Sequence, residues 1–382
     1  MSDLPGPATR ASEALQGDGL WFAPGRVNLI GEHTDYNEGF VLPLALRHGV
    51  GIAGRRRDDG VIRARSLQVD EPLEVRIDDL GPGSVEGWGA YVAGVAWALR
   101  QAGHEVGGAD LVLDSDVPSG AGLSSSHALE CATGTALLGL ADLELHPTEL
   151  AKVVRTAEND FVGAPTGIMD QMASLHGRAG HVLFLDTRSL EVEPVPFDLG
   201  SHGLALLVID TKAPHALVDG EYAERRRSCE EGARILGVPA LRDVTVDDLD
   251  DALRIIDDEV VAKRVKHVVT EDARVLEVIG TLRGGGDPRT IGEHLTASHV
   301  SMRDDFEITV PRVDAAVDAA LAAGAFGSRM TGGGFGGCCL ALVEADAVED
   351  TSAAVRDAYA KQGWDEPATF VAQPSDGARR VG

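Results

Sequence analysis

The 382-residue chain is poor in lysine, in aromatic residues and in positive charge. Lysine stands only at Lys152, Lys212, Lys263, Lys266 and Lys361, so arginine supplies nearly all of the 34 basic side chains and a Schiff-base mechanism has few candidates. Against them stand 61 acidic residues, for a formal charge of −27. Nucleic acid and anionic membranes bind by exchanging counterions for positive side chains, so neither is an expected partner. A phosphorylated ligand would need a local exception to that field, built from helix N-termini, backbone amides, a few arginines and a metal. The four cysteines, Cys131, Cys229, Cys338 and Cys339, form no C-x-x-C pair and accompany no histidines at zinc-ligand spacing. They read as small buried apolar residues in a reducing compartment. Aromatics make up only 4% of the chain, which implies an aliphatic core. No apolar run reaches 18 residues, and the start, MSDLPGPATRASEAL, lacks a basic region followed by an apolar one. A soluble cytoplasmic protein without a membrane partner is expected.

What is present is a chain too long for one comfortably growing core, which favours two domains with a cleft between them. A polar stretch from Asp198 to His202 and the length together put the boundary at 195/196, giving units 1–195 and 196–382. Gly19 to Ile30 carries strand-forming residues broken by Pro24-Gly25, suggesting strand, turn, strand. Tyr91, Val92, Val95 and Leu99 recur at helical spacing before Gly103. Further helices are expected at about 125–140, 148–160, 168–176, 219–236, 258–281 and 311–323. Strands are expected at 111–113, 181–185, 204–209, on both sides of TGGGFGG, and at 368–372. Helices and strands mix in both halves without the regular alternation of a doubly wound sheet, so the fold class is α+β.

Three motifs carry the chemistry. GRVNLIGEHTDYNEG (25–39) places Arg26, Glu32, His33, Asp35 and Tyr36 at a strand end, too polar for a core strand. It is either a solvated turn or a site for a small polyhydroxylated ligand, in which each carboxylate accepts two hydroxyl hydrogen bonds. DVPSGAGLSSSHALE (116–130) puts glycines and serines directly before a helix. A serine-rich N-cap would look like this, and so would a lysine-free phosphate cradle made from exposed amides and the helix dipole. A Walker A loop is excluded, because the dipeptide Gly-Lys occurs nowhere.

MTGGGFGGCCLALV (330–343) satisfies G-x-G-x-x-G with Gly332, Gly334 and Gly337, yet a strand-like run follows it where the dinucleotide fingerprint needs a helix. Its five glycines suit either tight packing or a loop passing close to phosphates or to the second motif. Between these motifs, AENDFVGAPTGIMDQMASLHG (157–177) sets Glu158, Asp160 and Asp170 among apolar residues. Asp170, beside Ile168, Met169 and Met172, has the surroundings of a partly buried base or structural carboxylate.

With these four segments in chain order, and EYAERRRSCEE from Glu221 between the last two, the chain resembles the galactokinases of the GHMP small-molecule kinase superfamily from about Trp21 to Val371. The resemblance implies a two-lobed α+β GHMP kinase fold with the active site in the cleft. It implies ATP-dependent phosphorylation of the anomeric hydroxyl of α-D-galactose, the first committed step of galactose catabolism by the Leloir pathway. It implies Asp170 as general base or anchor and Arg26 as stabiliser of the transferring phosphoryl group. Sugar contacts fall on Glu32, His33, Thr34, Asp35, Gly167, Asp170 and Tyr222. ATP contacts fall on Ser66 and on Gly120, Ala121, Gly122, Leu123, Ser124, Ser125 and Ser126. Ser126 and Glu158 are the implied Mg²⁺ ligands. Galactose and MgATP are the only implied partners, with a monomer and no obligate protein partner expected.

The chain departs from the family pattern at His127, where a small alanine is usual, at Asn159, where histidine is frequent, and at Thr166, where cysteine is common. His127 follows Ser126 in the helix, and successive helical side chains diverge by about 100°, so His127 is expected to point away from the phosphates. Two alternatives stay open on these residues. One is a sister kinase acting on N-acetylgalactosamine, arabinose or galacturonate, of which Glu32 disfavours the uronate by like-charge repulsion. The other is a silent sensor that binds galactose and ATP without turnover.

Overall fold

The computed structural model describes residues 4–118, 120–213 and 218–382. Three sheets organise them. The largest has six strands, in the order Arg379–Arg380, Gly19–Asn28, Pro43–Arg57, Gly108–Ser115, Val61–Ser66 and Leu73–Arg76. All neighbours run antiparallel except the parallel pair Val61–Ser66 and Gly108–Ser115. A four-stranded antiparallel sheet runs Gly327–Thr331, Cys338–Glu344, Leu204–Asp210, Ala368–Val371. A small antiparallel sheet joins Phe40–Val41, His181–Asp186 and Glu191–Pro196. Mixed sheets with helices between them make this an α+β protein.

Gly19–Asn28 is one strand rather than two: Pro24-Gly25 produces a bulge between Pro24 and Arg26 in its pairing with Pro43–Arg57, not a turn. The bulge re-aims Arg26, whose amide leaves the ladder and donates to the Leu123 carbonyl of the second motif. Pro43–Arg57 carries no expected strand, because Gly49, Gly51 and Gly54 interrupt its pattern. In the fold those glycines admit close neighbours. A Cβ on Gly51 would overlap the backbone of Pro7 and Ala8, in the helix Gly6–Ala14, and one on Gly49 would overlap the Phe22 ring.

The helix expected at 148–160 stops at Thr156 and continues as a π-helical turn, Ala157–Val162, which ends on Gly163 at φ +88° and carries Glu158. The helix Glu259–Arg283 joins two cores. Val265, Val268 and Val269 pack with Phe306, Met330 and Cys339, whereas Val275, Val278 and Ile279 pack with Leu29, Ile30 and Val41. Packing is therefore continuous across residue 195, and the last strand returns from the C-terminus to the first sheet. The core is aliphatic, as the composition implies, and all four cysteines are free and buried. No helix among the described residues is long and apolar enough to cross a membrane.

Candidate active site

Two cavities lie on either side of the N-terminus of the helix Ser125–Leu140. The first, about 200 Å³, is lined by Arg26, Glu32, His33, Asp35, His127, Thr166, Gly167, Asp170, Tyr222, Gly332 and Gly333 among others. The second, about 370 Å³, has walls from Ser66, Gln68, Trp88, Tyr91, Asp114, Ser125, Ser126 and Leu129 among others. Between them the loop before the helix turns through Gly120 at φ +67°, Gly122 at +70° and Ser124 at +60°. No side chain caps this helix, so its first amides remain available to an anion. Ser119 lies outside the described residues. Ala121 and Leu123 are buried in the core, which anchors the loop from beneath.

Arg26 and Asp170 stand at the junction. Arg26 Nε donates to Asp170 Oδ1 and Nη2 to Oδ2, both at 2.7 Å, while Nη1 donates to the Gly122 carbonyl at 2.7 Å. Of the five guanidinium N–H groups two remain, one on each terminal nitrogen. Asp170 Oδ2 also accepts from the Ser124 hydroxyl. Burial pushes the Asp170 carboxyl up, but Arg26, His127 and Ser124 together hold it below the usual carboxylate range. The surroundings of Asp170 are thus polar, contrary to the apolar setting that its sequence neighbours suggest. Ile168 and Met172 pack into the core instead, and Met169 lies between the core and the cavity.

His127 does not point away. Its ring is buried, with Nε2 2.7 Å from Glu158 Oε2 and Nδ1 3.3 Å from both Asp170 Oδ2 and Ser126 Oγ. The Nε2 contact lacks hydrogen-bond geometry and is a charge contact. Helical divergence turned the side chain away from Ser126 less than expected because two carboxylates attract it. Burial disfavours its charged form, yet Glu158 and Asp170 raise its pKa above the ordinary histidine value.

Glu158 Oε2 further accepts from Thr166 Oγ1 at 2.6 Å and Gln171 Nε2 at 3.2 Å, whereas Oε1 has no partner among the described residues. No three His, Cys, Asp or Glu side chains among the described residues converge to hold a metal. A hydroxyl on Ser126 and one open carboxylate oxygen on Glu158, flanking the same imidazole, are hard ligands of the kind Mg²⁺ takes when phosphate and water complete its shell.

The sugar-side wall is built from both halves of the chain. Glu32 is buried, and its Oε2 accepts from Asn28 Nδ2 at 2.9 Å and from Arg329. Oε1 accepts from the Gly332 amide at 2.9 Å and lies 3.4 Å from Thr331 Oγ1, whose single proton goes to the nearer Asn28 carbonyl at 2.9 Å. One lone-pair site is left, on Oε1, so Glu32 can take one hydroxyl rather than two. Burial pushes its pKa up against the lowering by Arg329 and the Gly332 amide.

His33, at φ +63°, presents its ring to the cavity with both nitrogens occupied. Nε2 lies 3.1 Å from the Gly333 carbonyl, which puts the proton there and leaves Nδ1 to accept from the Tyr36 hydroxyl at 2.7 Å. Burial lowers its pKa to about 3, so the ring is neutral. Tyr222 packs beside it with its ring tilted by 40° and the ring centroids 5.1 Å apart. Asp35 Oδ2 accepts from the Met169 amide at 3.3 Å, and burial with the nearby Asp170 raises its pKa. Gly167 fits because a Cβ there would overlap the Asp35 carboxylate. Thr34 is separate from the cavity: fully buried, its hydroxyl bridges the Gly31 and Phe40 carbonyls at 2.9 and 2.7 Å.

The third motif is a loop between antiparallel strands, not a dinucleotide fingerprint. Gly332, at φ +95°, approaches the second motif so closely that a Cβ would lie 2.9 Å from the Gly122 carbonyl. Residues that the local pattern did not flag are Gln68, Trp88 and Tyr91 in the second cavity, and Arg329 behind Glu32. The expected amphipathic helix carried Tyr91 only as a core position, and Arg329 carries no local signal.

Three family models match the chain: the galactokinase galactose-binding signature over residues 11–56, the GHMP kinases N terminal domain over 90–178 and the GHMP kinases C terminal domain over 278–361. A galactokinase of Streptomyces coelicolor is 55% identical over 366 residues, covering 95% of this chain and 94% of that protein. One of Mycobacterium tuberculosis is 46% identical over 356 residues, covering 93% and 97%. The crystal structure of Lactococcus lactis galactokinase complexed with galactose superposes with a TM-score of 0.93 at 32% identity, covering 98% of both chains. Methanococcus jannaschii mevalonate kinase, 17% identical with a TM-score of 0.65 over 95% of this chain and all of its own, shares the fold.

Proposed function

This chain belongs to the galactokinase family of the GHMP kinases, and from that premise we propose which of its residues carry the ATP-dependent phosphorylation of galactose at the anomeric hydroxyl. The chain has the two-lobed GHMP kinase fold and is an ATP-using sugar kinase. The observation that carries the assignment is the Arg26–Asp170 pair, which borders the monosaccharide-sized cavity and reaches the Gly122 carbonyl of the phosphate loop.

Asp170 has one acceptor site left, on Oδ1, and uses it to orient the anomeric hydroxyl. A carboxylate held at low pKa is a weak base. It suffices where the transition state is loose: the bond from the γ-phosphorus to the bridging oxygen breaks to release ADP, and the hydroxyl loses its proton to Asp170 only as the new P–O bond forms. The two free N–H groups of Arg26 meet charge on the transferring phosphoryl group, and the open amides before and within the first turn of the helix hold the other phosphates. Mg²⁺, held by Ser126 and Glu158, would neutralise phosphate charge. ATP lies along Ser66 and the segment Gly120–Ser126, with its base in the second cavity. Ser124 and Leu123 serve through the backbone, since one hydroxyl is bonded to Asp170 and the other side chain is in the core.

Asp35, Glu32, Gly167 and the Tyr222–His33 wall define the sugar, and Thr34 supports their turn. All of these residues come from one chain, so a monomer suffices. The two lobes divide near 195/196, with the last strand added to the first. The cytoplasm supplies ATP and keeps the four cysteines reduced.

The test is incubation with MgATP and galactose, glucose or N-acetylgalactosamine, with the products identified by NMR. Galactose 1-phosphate from galactose is the expected product; faster turnover of N-acetylgalactosamine would overturn the substrate assignment.

A further inference from the structure

Glu32 is gripped almost entirely by residues more than 230 positions away. Its amide lies 3.4 Å from Glu271 Oε1, its carbonyl 3.2 Å from His267 Nε2, and its carboxylate meets Arg329 and the Gly332 amide. Arg329 is fully buried on the strand Gly327–Thr331. Its Nη1 donates to the Asn28 and Leu29 carbonyls at 3.1 and 3.0 Å, and Nη2 donates to Glu32 and, at 3.4 Å, to Glu271. Glu271, also buried, accepts from the Gly31 amide at 2.9 Å and the Ser298 hydroxyl at 2.7 Å and is paired with Arg274 at 2.9 Å.

A planar guanidinium fixed by two backbone carbonyls and by Glu271 leaves the Glu32 carboxylate it also binds no freedom to rotate. We propose that Arg329, backed by Glu271, is a positioning residue for sugar recognition: it fixes the Glu32 carboxylate so that a single acceptor site, on Oε1, faces the cavity. Arg329 touches no sugar; it selects which hydroxyl Glu32 can meet. A free carboxylate would swing and accept from several positions around the ring, so the grip converts an acidic residue into a contact for one hydroxyl.

This rests on the first cavity being the galactose site. The experiment is calorimetric titration, without nucleotide, of the full chain with galactose and with a set of monodeoxygalactoses, comparing the parent with Glu32→Gln and Arg329→Lys. The lysine keeps the charge and loses the fork. In the parent, one deoxy sugar should carry a penalty that Glu32→Gln removes. Arg329→Lys is expected to weaken galactose roughly 10-fold or more, the loss of one charge-assisted hydrogen bond. It should shrink the same deoxy penalty, leave the others unchanged, and raise KM for galactose more than it lowers kcat.

Galactose binding within twofold of the parent with an unaltered deoxy pattern overturns the proposal, as does a uniform loss across all sugars. Should Arg329→Lys fail to melt cooperatively, the isosteric Glu271→Gln is put through the same titrations, with the same outcomes deciding. A parent that binds no galactose removes the site assignment itself, and the role of Arg329 with it.

Discussion

Gly167→Ala should damage catalysis without removing any functional group. The backbone at Gly167 is outside the left-handed region, so alanine brings no conformational strain; the problem is space. The new Cβ would overlap Asp35 Oδ2 and Cγ and lie 2.7 Å from Oδ1. Clearing it moves the carboxylate, or the Gly167 backbone, by on the order of 1 Å or more. Asp35 would then lose its fit to the sugar hydroxyls. A hydrogen bond to a charged group contributes roughly 1.5–3 kcal/mol, so kcat/KM for galactose should fall by about 10- to 150-fold. A displacement of that size can cost about 100-fold by misorientation alone.

Steady-state kinetics with varied galactose at saturating MgATP measures this, with thermal melting to show that the fold is unchanged. The double variant separates mechanism from general damage. Asp35→Ala removes the obstacle, so adding Gly167→Ala to it should cause no further loss. Kinetics of Gly167→Ala within twofold of the parent would refute the assignment of Asp35 to the sugar, and so would full additivity in the double variant.

Asp170→Asn should lower kcat by roughly 10²- to 10⁴-fold while galactose and ATP still bind by calorimetry; an amide variant with parental kcat would remove Asp170 from the proton path. His127→Ala clears the imidazole from between Ser126 and Glu158. Mn²⁺ binding, followed by EPR with a non-hydrolysable ATP analogue, should therefore tighten; weaker binding would make the ring a helper of the metal site rather than its competitor. Asp272 is a test of stability. Burial raises its carboxyl to about 7, against the lowering by the Phe40 amide and Arg242. The unfolded chain ionises there near 3.8, so the folded state holds the extra proton between those values and stability falls as pH rises through that window. Asp272→Asn should flatten the fall and stabilise the protein at pH 8, by at most on the order of 4 kcal/mol, read as a higher Tm. A parent and variant whose difference is the same at pH 4 and pH 8 would contradict it.

The parts of this site legible in the sequence are those where one short segment must satisfy an unusual local demand. The second motif needs left-handed turns at Gly120 and Gly122 and open amides before a helix, and the third needs Gly332 against the Gly122 carbonyl. Both demands write glycine and serine into adjacent positions, whatever the rest of the fold does. Amphipathic helices such as Gly89–Gln101 were legible for a similar reason, since periodicity is local. The strand Pro43–Arg57 was not, because its glycines answer to Pro7, Ala8 and Phe22, which are distant in sequence. His127 was misplaced because helical geometry fixes where a Cβ starts but not which charges draw the ring. In this case Glu158, from a π-helical turn that no periodicity announced, supplied one of them.

The same distinction explains why the acidic motif around Glu32 was readable as a site while its specificity was not. Two carboxylates and an imidazole within four residues suggest a polyhydroxylated ligand, but the number of hydroxyls each can take depends on how many lone pairs the protein already uses. For Glu32 that number is set by Asn28, Arg329 and Gly332, and for Asp170 by Arg26 and Ser124. Each carboxylate retains one open site, and in both cases the donors come mostly from other segments. The helix Glu259–Arg283 makes this possible. Its first half lies in the core beside the glycine-loop hairpin and its second half in the core under Leu29 and Ile30, so Glu271, between them, ties the two together at the Gly31 amide. On the proposed roles, selectivity for a sugar is a property of how the first and last motifs are joined, which is why substitutions at Arg329 or Glu271, neither of which lines the first cavity, are the sharpest probes of it.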